Sequence, residues 1–385
     1  MSQEVVTPRR SRENCFDVLR LFAATCVVVQ HATIHLDGKF FWYEERNHLW
    51  FTDGVLMFFI LSGGMVYQSA ERCLAEQRPL RDYLRNRALR IAPAVYAYLA
   101  VMTVLLLVLG VIGLRDLAGA SFLTWFASTL ALAPVYHPAI FHDFGVGVVN
   151  GSLWTIPVEV GFYLLVPILV VSSRRWGFRR MITVVILAAL SGAIAYAILG
   201  GASATNFGVK MFGVTFVPWL IYFTIGLVMN RVWRRLPQHA LLAVSCGLVY
   251  AVCTSVRGSL DAPWSELLTL VSAIPLAYTT FWIGHHGPRA LAATTRRVGD
   301  LSFGVYIWHM PVINAMIWFG LSRADLGGTG AVLTALAVTL LLAAISWHAI
   351  EKTALRFKRY DSRRVLPESS MPSTSPALAT PTHQR

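Results

Sequence analysis

Residues 15–35 read CFDVLRLFAATCVVVQHATIH. The run is apolar enough to cross a bilayer, yet Arg20 stands near its start and His31 near its end. At 100° per residue, eleven positions make three turns plus about 20°, so both side chains share one face, roughly 16 Å apart along the axis. An ionisable group inside a span costs about 2.5 to 3.5 kcal/mol on insertion scales, and it faces the bundle interior or a water-filled cavity. Two on one stripe point to a polar conduit through half the membrane.

The rest of the chain agrees with a membrane reading. Of 385 residues, 56% are hydrophobic and only 14% charged, and mean hydropathy is +0.56. Apolar runs of about 20 residues, the length of a spanning helix, recur from Phe16 to Ile350. This is an all-α, polytopic membrane protein. The alternation of a membrane β-barrel is absent. The net charge of +13 does not point to nucleic acid, because Lys and Arg cluster beside the ends of apolar runs, where they encode orientation. The same charges suit a phosphate-bearing cofactor or anionic lipid head groups. The five cysteines are odd in number and form no CxxC pair, so they read as structural, with neither disulfide nor metal. Arg9, Arg10 and Arg12 precede the first run, but no small-residue cleavage pattern follows it. The run is read as a retained span.

The positive-inside rule then sets the register. A basic cytoplasmic tail, 1–15, leads into ten spans within 16–352: 16–34, 50–69, 91–113, 152–172, 181–199, 211–229, 239–256, 263–284, 301–320 and 330–350. Loop 35–49 faces outward. Residues 121–136 are read as a re-entrant or interfacial helix ending near Pro134, because a crossing there would put the arginines of SSRRWGFRR outside. A cytoplasmic tail, 353–385, closes the chain, and its Ser-, Thr- and Pro-rich part from 365 onward is expected to be disordered.

Four sets of residues are candidates for chemistry. His31 is a general base near neutral pH or a packing histidine bonded to a carbonyl; Arg20 partners it along the stripe or pairs with Asp17. Glu159, in NGSLWTIPVEVGFY, sits at a similar depth and is expected to hold the tautomer of His31, or else to form a structural ion pair. Arg87 and Arg90, one turn apart, suit phosphate or pyrophosphate, or are ordinary positive-inside charge. In LSFGVYIWHMP, Ser302, Tyr306 and His309 share a helix face as a polar cavity wall or as interhelical packing bonds. No P-loop, GxSxG, HExxH or dinucleotide fingerprint is present.

In this order the motifs resemble the acyltransferase-3 family of integral membrane acyltransferases. They are Asp17–Arg20 with His31, Phe58–Gly63, Arg87–Arg90, Asn150–Glu159 and Ser302–His309. The resemblance covers about 16–350. It implies a ten-span fold in a bacterial inner membrane, an acyl-CoA donor (usually acetyl-CoA) at the cytoplasmic face, no metal, and an acceptor hydroxyl on a sugar or small molecule. It also implies that His31 is the catalytic histidine, with Arg20 and Glu159 beside it, and that Arg87 and Arg90, with Arg20, hold the donor. Asn150, Trp154, Ser302, Tyr306 and His309 are assigned to the acceptor. Leu56 stands where many members carry an acidic residue, and Gly64 where an aromatic is common. The competing function is export of a glycan or lipid-linked sugar, with His31 and Glu159 as a proton relay, although the paired broken helices of such folds are not evident.

Overall fold

The computed structural model describes residues 14–37, 53–321 and 323–358. The basic tail up to residue 13, the loop from 38 to 52 expected to face outward, and the Ser/Thr/Pro-rich end lie outside the described residues. Those described are helical, without a strand among them. In chain order come α1 (Phe16–His35), α2 (Gly54–Ala75), α3 (Leu80–Val108), α4 (Ala120–Leu130), α5 (Thr155–Trp176), α6 (Phe178–Ile198) and α7 (Phe207–Gly213). Then follow α8 (Leu220–Val232), α9 (Ala240–Arg257), α10 (Trp264–His286), α11 (Arg289–Val298), α12 (Ser302–Trp318), α13 (Arg323–Leu326) and α14 (Gly328–Ser346). A π-helical turn, Trp347–Glu351, and the short α15 (Lys352–Leu355) complete the described chain.

Seven helices are long and apolar enough to cross a membrane: α1, α3, α5 with its leading turn, α6, α9, α10 and α14 with its extension. Three elements at expected spans fall outside that set. α12, at 17 residues, falls short in length rather than in apolar character, and every residue from Ser302 to Asn314 is buried. α2 carries a polar stripe through Ser62, Gln68 and Ser69. It packs against α8 through glycines: a Cβ at Gly63 would collide with the Phe223 carbonyl, and one at Gly226 with that of Ile60. Such small residues let backbones approach where lipid gives no hydrophobic drive.

Two expected spans need correction. The run 211–229 is broken: α7 ends at Gly213, α8 starts at Leu220, and Pro218 lies between. Proline removes a donor and disfavours helix at the residue before it. The gap is closed by Trp219, whose Nε1 donates to the Gly213 carbonyl at 2.7 Å. The span expected at 91–113 begins eleven residues earlier, at Leu80. Leu- and Arg-rich sequence propagates helix well, so Arg87 and Arg90 project from a formed helix. α4 has 11 residues, about 17 Å of helix, too short for a ~30 Å hydrocarbon core.

The connection 131–150 is pinned to α12. Asn314 donates to the carbonyls of Val148 (2.8 Å) and Val149 (3.0 Å) and accepts from the Val146 amide at 3.0 Å. Gly145, at φ +59°, leaves no room for a Cβ against Asn314. Asp53, just before α2, is buried. Both its oxygens lie 3.1 Å from Arg257, and it accepts from the Tyr250 hydroxyl at 2.7 Å. This carboxylate therefore fastens α2 to α9.

Candidate active site

A cavity of about 290 Å³ opens among α1, α2, α3, α5, α12 and the C-terminal turn. Arg20, Arg87, Arg90 and Lys358 bring four cationic groups to it; Glu159 and Asp300 bring two carboxylates. Phe58, Phe59, Phe303 and Trp347 form apolar walls. Small-molecule sites combine apolar lining with a few placed polar groups in this way.

Asp300 is the electrostatic hub. It lies 2.5 Å from Arg90 and 3.8 Å from Arg20. It also accepts from the Ser302 hydroxyl at 2.6 Å and from the Ser302 amide, which holds the start of α12. Burial alone would raise its carboxyl, but Arg90, Arg20 and the Ser302 bonds outweigh burial and hold it below the usual carboxylate range. Arg90 also reaches Glu351 at 3.6 Å, because the π turn brings that carboxylate back against α3. Of the two arginines expected to hold phosphate, Arg90 has its charge matched by two carboxylates, whereas Arg87 donates to the Ser69 hydroxyl at 3.5 Å. Arg20 also has its near-sequence partner, Asp17, at 3.8 Å.

Arg87 has no carboxylate within ion-pair reach among the described residues. Its Nε is buried with no hydrogen-bond partner, and its guanidinium lies over the rings of Tyr83 (5.9 Å) and Tyr163 (5.7 Å). Tyr163 donates its hydroxyl to Glu159, so the carboxylate is fixed beside that cation. Across the mouth, burial first, then Arg87 and Arg90, lower Lys358 to about 8.

A second cluster starts in the cavity wall. The Thr155 hydroxyl donates to Tyr306 at 2.7 Å, and Tyr306 donates to the Ser152 carbonyl. Pro311 denies the Ile307 carbonyl its helical donor; Asn150 supplies one instead, at 2.9 Å, while its Oδ1 caps the turn before α5. Asn150 thus sets the register of α5 against α12. Trp154 packs at a tilt against Trp219, centroids 5.0 Å apart, and does not line the cavity.

His31 and His309 sit past Tyr306. Their ring centroids are 5.0 Å apart, and His309 lies 5.7 Å from Tyr306. α1 and α12 pack together, with Arg20 meeting Asp300 at one end and His31 meeting His309 at the other. Each histidine donates from Nδ1 to a carbonyl of its own helix: His31 to Val27 at 2.9 Å, His309 to Tyr306 at 2.7 Å. That leaves Nε2 of both as lone-pair acceptors, and Nε2 of His309 is buried without a partner. The expected Glu159–His31 contact is not formed. Glu159 points into the cavity, and a backbone carbonyl fixes the tautomer of His31. The proton relay of an exporter loses its expected pair for the same reason. Neither histidine lines the cavity; the link to them is Tyr306, which does line it and lies 5.7 Å from His309.

Sequence reading did not single out Asp300, Glu351, Tyr163 or Lys358. Asp300 carried a signal, as an acidic residue directly before a helix start. Glu351 and Lys358 carried none, being charges at the end of a basic run.

The cavity thus gathers four cationic groups and two carboxylates, with the His31–His309 pair behind Tyr306 and outside its lining. An acyltransferase domain matches residues 13–348, and the chain belongs to the acyltransferase-3 family. It is an acyltransferase by family. It is 29% identical over 367 residues to nodulation protein 10 of Rhizobium leguminosarum bv. viciae, covering 90% of this chain and 94% of that one. It is 24% identical over 355 residues to the O-acetyl transferase of Shigella phage Sf6, covering 89% and 96%. It is also 24% identical over 323 residues to the exopolysaccharide production protein ExoZ of Rhizobium meliloti (strain 1021), covering 81% and 91%. No solved structure matches the chain.

Proposed function

We propose that this protein is a ten-span O-acyltransferase of a bacterial inner membrane, with residues 16–352 as one catalytic unit and both termini in the cytoplasm. It moves an acyl group, acetyl in the simplest case, from cytoplasmic acyl-CoA to a hydroxyl of a surface carbohydrate. The reading rests on one observation above all. A cation-rich cavity holds an arginine with no carboxylate partner among the described residues, and Tyr306 in its wall lies 5.7 Å from His309, the neighbour of His31. The printed names of the relatives, an O-acetyl transferase and an exopolysaccharide production protein, support the acetyl group and the glycan.

In this reading Arg87 and Lys358 hold the donor's pyrophosphate at the mouth, and Arg20 stands along the arm. The thioester passes Tyr306. Nε2 of His31 takes the proton of the acceptor hydroxyl, the oxygen attacks the thioester carbonyl, and the C–S bond breaks. The thiolate leaves and takes a proton back from the imidazolium. Glu159, fixed by Tyr163, keeps Arg87 oriented. Ser302 and Tyr306 act as wall and gate, and His309 supports His31.

The test is consumption of labelled acetyl-CoA by purified protein in nanodiscs with bacterial glycan as acceptor. Arg87→Ala is expected to raise KM for acetyl-CoA about tenfold or more, the worth of one charge-assisted bond to phosphate, with less change in KM for glycan. Purified protein that moves glycan across a bilayer and leaves the thioester intact would establish the exporter instead. The pH dependence follows from Lys358. It is charged below about 8, and a bound phosphate favours that charged form. Donor affinity is therefore full below that pH and weakens as pH rises through about 8. Lys358→Gln should flatten the profile; an unchanged slope would remove Lys358 from the site.

A further inference from the structure

A second cavity, of about 530 Å³, lies at the α2–α3 turn, and Arg87 lines both it and the first. Its walls come from the end of α2 and the start of α3. Gln68, Ser69, Arg72, Tyr83 and Asn86 contribute polar groups to it, along with Arg87. Its carboxylate, Glu76, is held by Arg78 at 2.8 Å, so Arg72 and Arg87 leave it positive. Two buried donors face no partner among the described residues: the hydroxyl of Tyr83, a residue only 2% exposed, and Nε of Arg87. Buried polar groups without partners are rare and call for a ligand or a role.

The two cavities follow one stripe of α2. Phe58, Phe59 and Ser62 line the first; Met65, Gln68, Ser69 and Arg72 line the second. These positions recur at helical spacing, so from Phe58 to Arg72 the stripe runs about 21 Å. A pantetheine arm has roughly the reach of five extended residues, about 17 Å. A donor whose thioester lies at Phe58 and Tyr306 thus places its pyrophosphate by Arg87 and its nucleotide end beside Arg72.

We propose that this second cavity seats the 3′-phosphorylated ribose and adenine of the acyl-CoA donor. Arg72 meets the 3′-phosphate, and the Tyr83 hydroxyl donates to the same end of the molecule. The proposal rests on the donor reading above and adds a subsite to it. An anionic lipid head group offers the same phosphate chemistry to this cavity, so the experiment separates the two sources.

The full chain is placed in phosphatidylcholine nanodiscs, and binding of CoA and of 3′-dephospho-CoA is measured by calorimetry. Wild type should bind CoA about tenfold tighter than the dephospho form. Arg72→Gln should erase that preference, and Tyr83→Phe should reduce it, because a bond to a charged group is worth about this factor. Binding of 3′-dephospho-CoA, unchanged in both variants, shows that they are folded. Equal affinity of wild type for the two ligands would overturn the subsite and leave the donor reading standing. No binding of either would overturn both. The measurement is repeated with phosphatidylglycerol in the disc. Loss of the wild-type preference there, with CoA binding otherwise insensitive to Arg72→Gln, would assign the cavity to lipid.

Discussion

Replacing His31 by alanine will stop acyl transfer in a protein that still inserts and still binds CoA. The base is expected to contribute about 10²- to 10⁴-fold in rate. His31 and His309 are the imidazoles behind Tyr306, and both present Nε2. His31 is only partly buried, whereas His309 is fully enclosed, so His31 is the one within reach of a hydroxyl. Loss at His309 should be smaller and should appear in kcat, since its partnerless Nε2 acts through its neighbour. The measurement is release of free CoA in membranes containing acceptor glycan. His31→Ala with wild-type kcat would remove the histidine from the chemistry. A His309→Gln variant slower than His31→Ala would reverse the two roles.

Asp300→Asn will destabilise the bundle more than any neutral change elsewhere in the cavity wall. Asp300 neutralises Arg90 at 2.5 Å and shares Arg20 at 3.8 Å, and its side chain is 19% exposed. Removing one partner of a buried ion pair leaves a charge without compensation, at about 3 to 5 kcal/mol. Glu351, 3.6 Å from Arg90, recovers part of this. The change also touches the start of α12, because Ser302 is held by the same carboxylate. Thermal unfolding in nanodiscs reads the effect, with Ser302→Ala as a control near 1 kcal/mol. An Asp300→Asn protein unfolding at the wild-type temperature would mean that Arg20 and Arg90 are adequately paired without it. Together the two results would separate the cavity's scaffold from its chemistry: Asp300 should act on stability first, His31 on rate alone.

The residues already contain the membrane class, the stripe of Arg20 and His31, and the order of motifs that marks the family. These are local or periodic properties: apolar length, helical spacing and charge beside span ends. The structure places both stripe residues against α12, as a shared face requires. What it alone decided is which groups meet. Arg87 and Arg90 look equivalent in sequence, one turn apart on one helix. Only the return of Asp300, just before α12, and Glu351 from the π turn, 210 and 261 positions beyond Arg90, gives Arg90 its carboxylate partners and leaves Arg87 with a hydroxyl, that of Ser69. Depth along a span likewise suggested Glu159 for His31. Depth fixes height and not azimuth, and the helix rotation turns Glu159 to Tyr163 and the cavity. Spacing along one helix is written in the chain; the pairing of charges across five helices depends on how those helices are turned against one another, which is decided by packing.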